Sequence, residues 1–318
     1  MKITVLYNEV TQIENGNLQD LLADQDTVKT AKEISTALIS LGYDVTLFCV
    51  DEVSVKKLTK NYPTDLFFNN AFGIGNIVKS ESQLAKIIEM TGIPFTGATA
   101  KNIVLTTDKK ATKNLLLKSN LPTPKIGGKK FPIFVKPIGE DCSLGITQTS
   151  VVQNNQELKN KIKELKKLYG GNVLVEEYID GRELNVTVVG NNNSLKVLPI
   201  SEIIFTQNFP GKYHIVDFDS KWKEDSKYYS QSQGMCPAIL DDSVKKHIEE
   251  IAKKAFLVTK CRHFARVDMR LDRKNSPWIL EVNANPGIGK GDGIIRSAKA
   301  AGFTYESFLD FLVQLAVK

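Results

Sequence analysis

Residues 264–272 (FARVDMRLD) and 276–283 (SPWILEVN) are the stretch that decides the fold. In both segments apolar and polar residues alternate, which is typical of β-strands with one buried face. The few residues between them are turn-forming, so we predict a hairpin. If this hairpin is symmetric and has no bulge, Asp268 lies directly opposite Glu281 on one face of the strand pair.

The same register places Arg266 opposite Asn283, beside the two carboxylates. Opposed carboxylates repel each other, and a divalent cation such as Mg²⁺ accepts carboxylate and amide oxygens while sharing nucleotide phosphates. Arg266 would add a donor for phosphate or for an oxyanion. The alternative is a surface hairpin in which Arg266 only pairs with a carboxylate. The apolar flanks, such as Val267 and Val282, favour a strand pair inside the protein.

The composition is that of a soluble globular protein, with 318 residues, 42% apolar and 25% charged, and a net charge of +6. This length suits two or three subdomains. The sequence has no apolar run of the ~18–20 residues that a membrane span needs, and its N-terminus lacks signal-peptide features. We therefore expect a cytoplasmic protein that binds no membrane. The lysines follow helical faces without interleaved aromatics, so we also expect no nucleic-acid binding.

The first hundred residues alternate strands and helices, as in a parallel sheet. We predict strands over 2–7, 44–50, 65–69 and 93–98, and helices over 27–41 and 81–91. Gly73 and Gly75 form a Gly-x-Gly without a third glycine, so a Rossmann oxidoreductase is a distant alternative. The four cysteines form no CxxC pair, which argues against a zinc site or a disulfide framework.

The remainder divides into a central and a C-terminal part. We predict helices over 108–119, 155–169 and 242–258 and from about 304, and strands over 131–137, 172–181 and within 186–204. The polar, aromatic connection over 206–234 is long enough to be a lid or a binding loop. We therefore expect three domains, which cover 1–100, 101–185 and 186–318.

Several charged residues precede the hairpin in an order that suits a nucleotide. Lys136 ends an apolar strand, where its ammonium could meet phosphates, and the small-residue turn 139–145 follows it. Glu176 and Glu183 lie in and after the next strand. Taken singly, each residue is weak evidence, and a generic turn is the better explanation of 139–145.

Three segments resemble the signature blocks of the D-alanine–D-alanine ligase family: VKPIGEDCSLGI (135–146), VLVEEYIDGRELNV (173–186) and the hairpin with NANPG (283–287). The resemblance extends from about residue 93 to the C-terminus. It implies an ATP-grasp fold, α/β (α+β), with an N-terminal parallel-sheet α/β domain. It also implies a ligase that joins a carboxylate to an amine through an acyl phosphate, with release of ADP and phosphate. Segment 201–237 is more similar to a divergent subgroup without a firm substrate.

The resemblance carries residue roles with it. It implies ATP contacts by Lys109, Lys136 and Lys221 at the phosphates, by Glu176, Glu177 and Ile179 at the adenine, and by Glu183 at the ribose. It implies that two Mg²⁺ ions are held by Asp268, Glu281 and Asn283. It implies catalytic roles for Arg266 and the Gly287 amide at the tetrahedral intermediate, for Ser143 in the loop over the donor, and for Lys221.

The substrate side departs from the family pattern. The family's N-terminal signature, which holds the first substrate's ammonium, has no clear equivalent in residues 7–28, where Asp26, Glu9 and Asp24 are candidates. Phe72 replaces the family's histidine, and Trp222 replaces the tyrosine of the long loop.

The acceptor side differs as well, because Asp292 and Gly293 stand where the family has a Ser-Leu pair that holds the acceptor's carboxylate. An aspartate repels a carboxylate. We therefore expect an acceptor other than D-alanine, or one that is held differently, by Lys290 or Arg296. The expected partners are small amino acid or peptide substrates, and the resemblance also allows a homodimer.

Two alternatives to a divergent ligase remain open. One is an authentic D-alanine–D-alanine ligase of peptidoglycan synthesis. The other is a regulatory protein that binds ATP without catalysis, against which the complete set of metal ligands argues.

Overall fold

Alternating apolar residues near the N-terminus build a parallel sheet. The computed structural model describes residues 1–12, 21–128, 130–191 and 194–318, and the side chains of residues 21–26 are not among those described. The sheet has the strand order β2-β1-β3, with β1 (Lys2–Tyr7), β2 (Asp44–Cys49) and β3 (Leu66–Asn69). Two helices accompany it, α1 (Leu21–Ser40) and α2 (Glu81–Thr91). The predicted parallel-sheet α/β unit is confirmed.

The C-terminal helix α10 (Tyr305–Val317) packs against this N-terminal sheet. Val5, Leu38 and Phe308 are fully buried in one apolar cluster that also includes Phe264. Since Phe264 belongs to the hairpin, the cluster ties the N-terminal sheet to the part of the chain that carries the site. No helix among the described residues is long and apolar enough to cross a membrane.

A small antiparallel sheet forms the middle of the chain. Its order is β5-β4-β6, with β4 (Ile133–Pro137), β5 (Val151–Val152) and β6 (Val173–Glu177). Helices α3 (Ala100–Thr107) and α4 (Lys109–Lys118) precede it, and α5 (Asn155–Tyr169) packs on it. Leu165 and Tyr169 of α5 bury Ile133 and Val135.

The largest sheet has six strands in the order β10-β9-β7-β11-β12, with β8 paired to β7. Its strands are β7 (Gly181–Gly190), β8 (Lys196–Val197), β9 (Ser201–Phe205), β10 (Ser232–Met235), β11 (His263–Asp272) and β12 (Pro277–Asn283). The helices between and after them are α6 (Phe218–Trp222), α7 (Lys227–Ser230), α8 (Asp242–Val258) and α9 (Gly293–Ala300).

The two faces of this sheet differ in character. Helix α8 packs Ile251 and Phe256 against the apolar side, where Val186 and Val267 are fully buried. Because side chains alternate along a strand, the polar residues between these apolar ones all point to the opposite face. That polar face holds the candidate site.

The hairpin register is confirmed for both predicted pairs. Asp268 lies opposite Glu281 and Arg266 lies opposite Asn283. A bulge follows immediately, since Met269 pairs with residue 279. The assumption of a bulge-free hairpin was therefore wrong, although the irregularity begins just beyond the polar pairs.

Helices α3 and α9 were absent from the sequence-based description, as were the short helices α6 and α7 within the long connection. Helix α3 occupies residues 100–107, where β-branched residues lower the intrinsic helix propensity; Thr99 offsets this with a capping box. Helix α9 occupies residues 293–300, in a stretch whose glycines had indicated only a turn.

Other boundaries also need correction. The strand predicted over 172–181 ends at Glu177, and a separate strand begins at Gly181. The strand predicted over 93–98 is only an isolated bridge between Phe67 and Phe95. The connection over 206–234 contains α6, α7 and part of β10. The division into three domains stays a prediction.

Candidate active site

Asp268 is the most heavily bonded carboxylate on the polar face. Arg266 binds it through two parallel hydrogen bonds, Nε to Oδ1 and Nη2 to Oδ2, each 2.8 Å. Asn185 donates to Oδ1 at 2.8 Å and Asn283 donates to Oδ2 at 2.9 Å. The pairing that the alternative interpretation expected is therefore present, but on a buried strand pair and not on a surface hairpin.

Asn185 was missed by the sequence analysis, although its position could have identified it. It lies opposite Asp268 on the neighbouring strand β7. In an antiparallel pair, opposed residues share a face, so the alternation of β7 already placed an amide beside the carboxylate.

Glu281 lies across from Asp268 and is bonded quite differently. Its one hydrogen bond to a side chain within the described part of the chain comes from Asn283 Nδ2, at 3.4 Å. Burial would raise the pKa of Glu281, but nearby cations outweigh burial and lower the pKa to about 2. Those cations are Lys109, Lys136, Arg266 and Lys221. Cations from the central part of the chain, the hairpin and the long connection therefore all act on the pKa of this one carboxylate.

Lys109, from the central part of the chain, is held in place by short contacts. Lys109 begins α4, and its Nζ lies 2.6 Å from Asp141 Oδ1 and donates to the Glu140 carbonyl oxygen at 2.6 Å. Burial would lower the pKa of Lys109, but Asp141 and Glu281 outweigh burial and raise it. Lys109 is therefore a fully charged group directed into the site.

Glu176, which is expected at the adenine, has a side chain that is buried and ion-paired, so its contact with adenine stays a prediction. Its side chain is 1% exposed, and its two oxygens lie 2.7 Å from Lys113 Nζ and 3.0 Å from Lys136 Nζ. Lys113 was not singled out from the sequence, and it also donates to Thr123 at 2.9 Å. The Glu176 carboxylate is therefore sealed inside an ion-pair cluster and is not available to a ligand.

The other expected nucleotide residues occupy the same region. Glu177 is half-buried, and its backbone N–H donates to the Lys125 carbonyl oxygen. Ile179 is buried. Glu183 forms an ion pair with Arg270 at 3.0 Å, and its pKa is raised because burial outweighs that arginine.

The long connection is bonded to the turn that follows β4. Trp222 Nε1 donates to the Cys142 carbonyl oxygen at 2.8 Å, and Ser143 Oγ donates to the Val216 carbonyl oxygen at 3.0 Å. The ammonium of Lys221 lies 5.0 Å from the centre of the Trp222 ring. Cys142 and Ser143 have φ values of 56° and 61°. Such left-handed angles at two successive non-glycine residues are costly and recur at functional loops.

Two expected substrate residues, Asp292 and Lys290, lie in the turn after β12, and only Asp292 lies beside Gly287 at the site. Asp292 Oδ2 accepts a hydrogen bond from the Gly289 N–H at 2.7 Å, and a Cβ on Gly287 would lie 2.7 Å from the same oxygen. Lys290 is turned elsewhere: it is exposed, its ammonium lies 5.5 Å from the centre of the Tyr305 ring, and its N–H donates to Glu33.

The N-terminal candidates are only partly accounted for. Phe72 is 36% exposed, and its N–H donates to Asn8 Oδ1 at 2.9 Å. The side chain of Asp26 lies outside the described residues. Glu81 was missed by the sequence analysis. It accepts a hydrogen bond from Asn285 Nδ2 at 2.9 Å, and burial raises its pKa to about 8.

The donor set of the hairpin suits magnesium. Glu281 would supply carboxylate oxygens and Asn283 an amide oxygen, whereas Asp268 would have to exchange part of its hydrogen bonds with Arg266, Asn185 and Asn283 for the metal. Within the described ranges, no group of three or more His, Cys, Asp or Glu residues is arranged to hold a metal ion. Mg²⁺ is usually bound by one or two carboxylates together with substrate phosphates.

An antiparallel sheet with paired carboxylates, facing lysines from a smaller sheet and preceded by a parallel α/β unit, defines the ATP-grasp class of fold. The sequence profile described as "D-ala D-ala ligase C-terminus" matches residues 98–314, well over half of the chain. The chain therefore belongs to the D-alanine–D-alanine ligase family.

Curated relatives agree with this placement. The chain is 31% identical over 294 residues to the D-alanine–D-alanine ligase of Bordetella pertussis, which covers 88% of this chain and 86% of that protein. It is 29% identical over 305 residues to the uncharacterized protein y4sG of Sinorhizobium fredii, with 91% and 87% covered.

Solved structures share the fold along the entire length. The D-alanine–D-alanine ligase of Bacillus anthracis complexed with ATP superposes with a TM-score of 0.76 at 22% identity, covering 100% of this chain and 97% of that one. The VanG D-Ala:D-Ser ligase of Enterococcus faecalis superposes with a TM-score of 0.73 at 22% identity, with 99% of each chain covered.

Proposed function

We propose that the protein is an ATP-dependent ligase that joins a carboxylate to an amine. The donor carboxylate attacks the γ-phosphate of ATP to give an acyl phosphate and ADP. An amine then attacks the acyl carbon, forms an amide and releases phosphate. The observation that carries this proposal is the Glu281 carboxylate, whose pKa is lowered by four cations, while its one side-chain hydrogen bond among the described residues is a long one from Asn283.

The negative charges of the ATP phosphates would be neutralised by the cations near Glu281. Lys109, Lys136 and Lys221 would neutralise the charge that spreads over the transferred phosphoryl group. We assign Glu177 and Ile179 to the adenine and Glu183 to the ribose, on the family pattern. The ion pairs of Glu176 give it a different task, which is to hold Lys136 in position.

The metal would be held by Asp268, Glu281 and Asn283. Bound there, Mg²⁺ supplies charge neutralisation at the phosphates. The chain's own part includes keeping the Glu281 carboxylate ionised at neutral pH, because the nearby cations lower its pKa to about 2.

Arg266 and the Gly287 amide would act on the second step. The guanidinium is fixed by Asp268 through two hydrogen bonds, so it is preorganised to stabilise an oxyanion at the acyl carbon. The bonds from Trp222 and Ser143 would hold the long connection over the turn after β4 and exclude water from the acyl phosphate.

Authentic D-alanine–D-alanine ligase activity is the second candidate. The relative of that name, at 31% identity, favours it. Phe72, Trp222 and Asp292 differ from the family pattern on the substrate side, which favours another acceptor. A nucleotide-binding protein without catalysis is the third outcome that the test must separate.

The test is ADP release with Mg²⁺ and ATP over a panel of D- and L-amino acids and dipeptides. We expect stimulation by one donor–acceptor pair, and loss of it in Glu281→Gln but not in Glu250→Gln, which makes the same change on an exposed face of α8. Stimulation by D-alanine alone would identify the second candidate. ATP binding without turnover for any pair would contradict the ligase proposal.

A further inference from the structure

Arg270 is a buried arginine on the polar face of the large sheet, and the proposed function gives it no task. It lies two residues after Asp268 on β11, so both side chains point to the same face. The neighbouring strand β7 places Glu183 directly opposite it. The arginine therefore faces the carboxylate that we assign to the ribose of ATP.

The guanidinium holds Glu183 from the interior of the protein. Arg270 Nη2 lies 3.0 Å from Glu183 Oε2, and Nη1 donates to the Gly181 carbonyl oxygen at 2.7 Å. The arginine side chain is only 4% exposed, whereas the glutamate side chain is 14% exposed. The ion pair is thus sealed at its cationic end and accessible at its carboxylate end.

The same ion pair also contacts the long connection over 206–234. Arg270 Nη2 donates to the His214 carbonyl oxygen, and the Val216 N–H donates to the Glu183 carboxylate. The His214 ring stacks on Phe205 of β9, with the ring centres 5.1 Å apart and an angle of 6° between the planes. Contacts with two carbonyl oxygens and one carboxylate fix the planar guanidinium, so it in turn fixes the direction of Glu183.

The carboxylate keeps acceptor positions that these contacts do not use. An ionised carboxylate offers about four, and Arg270 and the Val216 N–H each take one. The two hydroxyls of a ribose stand on adjacent carbons and are donors that one carboxylate can accept together. A site that bonds a hydroxyl rejects the analogue without it, because a buried acceptor is then left unpaired.

We propose that Arg270 is a positioning residue that sets nucleotide specificity: it holds Glu183 where it accepts the ribose hydroxyls, so that the site selects ribonucleotides over deoxyribonucleotides. The proposal rests on the ATP site proposed above. Without the arginine, Glu183 would be a largely buried carboxylate that lacks its counter-charge, and its oxygens would no longer have a fixed direction.

The test measures the affinities for ATP, 2′-deoxy-ATP and 3′-deoxy-ATP by calorimetry with Mg²⁺, without donor or acceptor. We expect the unaltered protein to bind ATP about 30-fold more tightly than either analogue, as for a hydrogen bond to a charged group. Arg270→Met should reduce this ratio to about twofold, and Arg270→Lys should retain part of it. Glu183→Ala should also abolish the preference, and adding Arg270→Met to it should change the ratio no further.

Arg182→Met is the matched control. Arg182 precedes Glu183 in β7 and so points to the opposite face of the sheet, where it pairs with Glu202 at 2.6 Å. Removing it breaks an ion pair of the same sheet without touching the polar face, so the preference for ATP should remain. An Arg270→Met protein that loses stability in urea but keeps the full preference would show that the arginine only supports the fold, and would overturn the proposal.

Two further outcomes separate the proposal from the ligase function. Equal affinity of the unaltered protein for ATP and both analogues would overturn the role of Arg270 without any variant, even if a donor–acceptor pair is ligated. A preference for ATP that Arg270→Met removes and Arg182→Met keeps would support the role even if no pair is ever ligated. Absence of ATP binding would refute both.

Discussion

Glu176 and Glu281 are both surrounded by lysines and both lie near Lys136, yet they are bonded in opposite ways. Glu176 touches its cations, at 2.7 and 3.0 Å, and is sealed from solvent. Glu281 is surrounded by cations, but its one hydrogen bond to a side chain in the described part of the chain is a long one from Asn283.

The difference separates a carboxylate that holds the fold together from one that is prepared for a ligand. Each oxygen of Glu176 lies against a lysine ammonium, and removing either partner would leave a buried charge uncompensated. The cations near Glu281 lower its pKa without occupying its oxygens. The free oxygens can then bind a metal, and the cations can bind phosphates.

The largest expected effect is on catalysis at Glu281. Glu281→Gln keeps the shape but removes the charge, and we expect ATP turnover to fall about 10³-fold because charge neutralisation at the phosphates is lost. Steady-state ADP release measures this. If turnover were retained while the urea midpoint collapsed, Glu281 would be structural and the comparison would fail.

Glu176→Gln should produce the converse result. It leaves Lys113 and Lys136 buried beside a neutral amide, and we expect the free energy of unfolding to fall by about 3 kcal/mol. Urea denaturation followed by circular dichroism measures it. Glu164→Gln is the control, because that carboxylate also pairs with a lysine, Lys161, but is itself exposed. A comparable loss in both variants would contradict the assignment.

Glu81 extends the comparison to a buried carboxylate with no cation beside it. Burial raises its pKa from 4.5 to about 8, while Asn285 opposes the shift. Between these values the folded protein keeps a proton that the unfolded chain has lost, so this group makes stability fall as pH rises.

Glu81→Gln removes that dependence. We expect the variant to match the unaltered protein near pH 4.5 and to become more stable by roughly 3–5 kcal/mol at pH 8 to 9. Urea midpoints across this range measure the difference. A difference that shrinks with rising pH would mean that Glu81 is ionised in the fold.

The sequence predicted the hairpin side of the site well because its determinants are local. Alternation along β11 and β12 fixed which residues share a face, and the short turn fixed that Asp268 opposes Glu281. The bulge could not be foreseen, since alternation does not reveal that Leu280 is left without a partner in the register.

The acceptor side could not be predicted in the same way because its determinants are distant in sequence. Arg296 meets Gly234 only because α9 lies on the polar face of the large sheet, and α9 itself was hidden by glycine-rich sequence. Glu81 meets Asn285 through packing of the N-terminal unit against the turn after β12. The buried pairing of Glu176 with Lys113 likewise required the relative position of α4 and β6.

The smallest expected effect concerns the long connection over 206–234, which is bonded to the turn after β4. Trp222 Nε1 donates to the Cys142 carbonyl oxygen, and this bond holds the neighbouring Lys221 near Glu281. Trp222→Phe removes one hydrogen bond, worth about 1 kcal/mol, so the KM for ATP should rise about fivefold with little change in folding stability. Tyr229→Phe, on the same connection, is the control. A looser connection admits water, so ADP release without acceptor should also rise. If Trp222→Phe changed neither the KM for ATP nor this ADP release, the connection would be held by Ser143 and its backbone contacts alone.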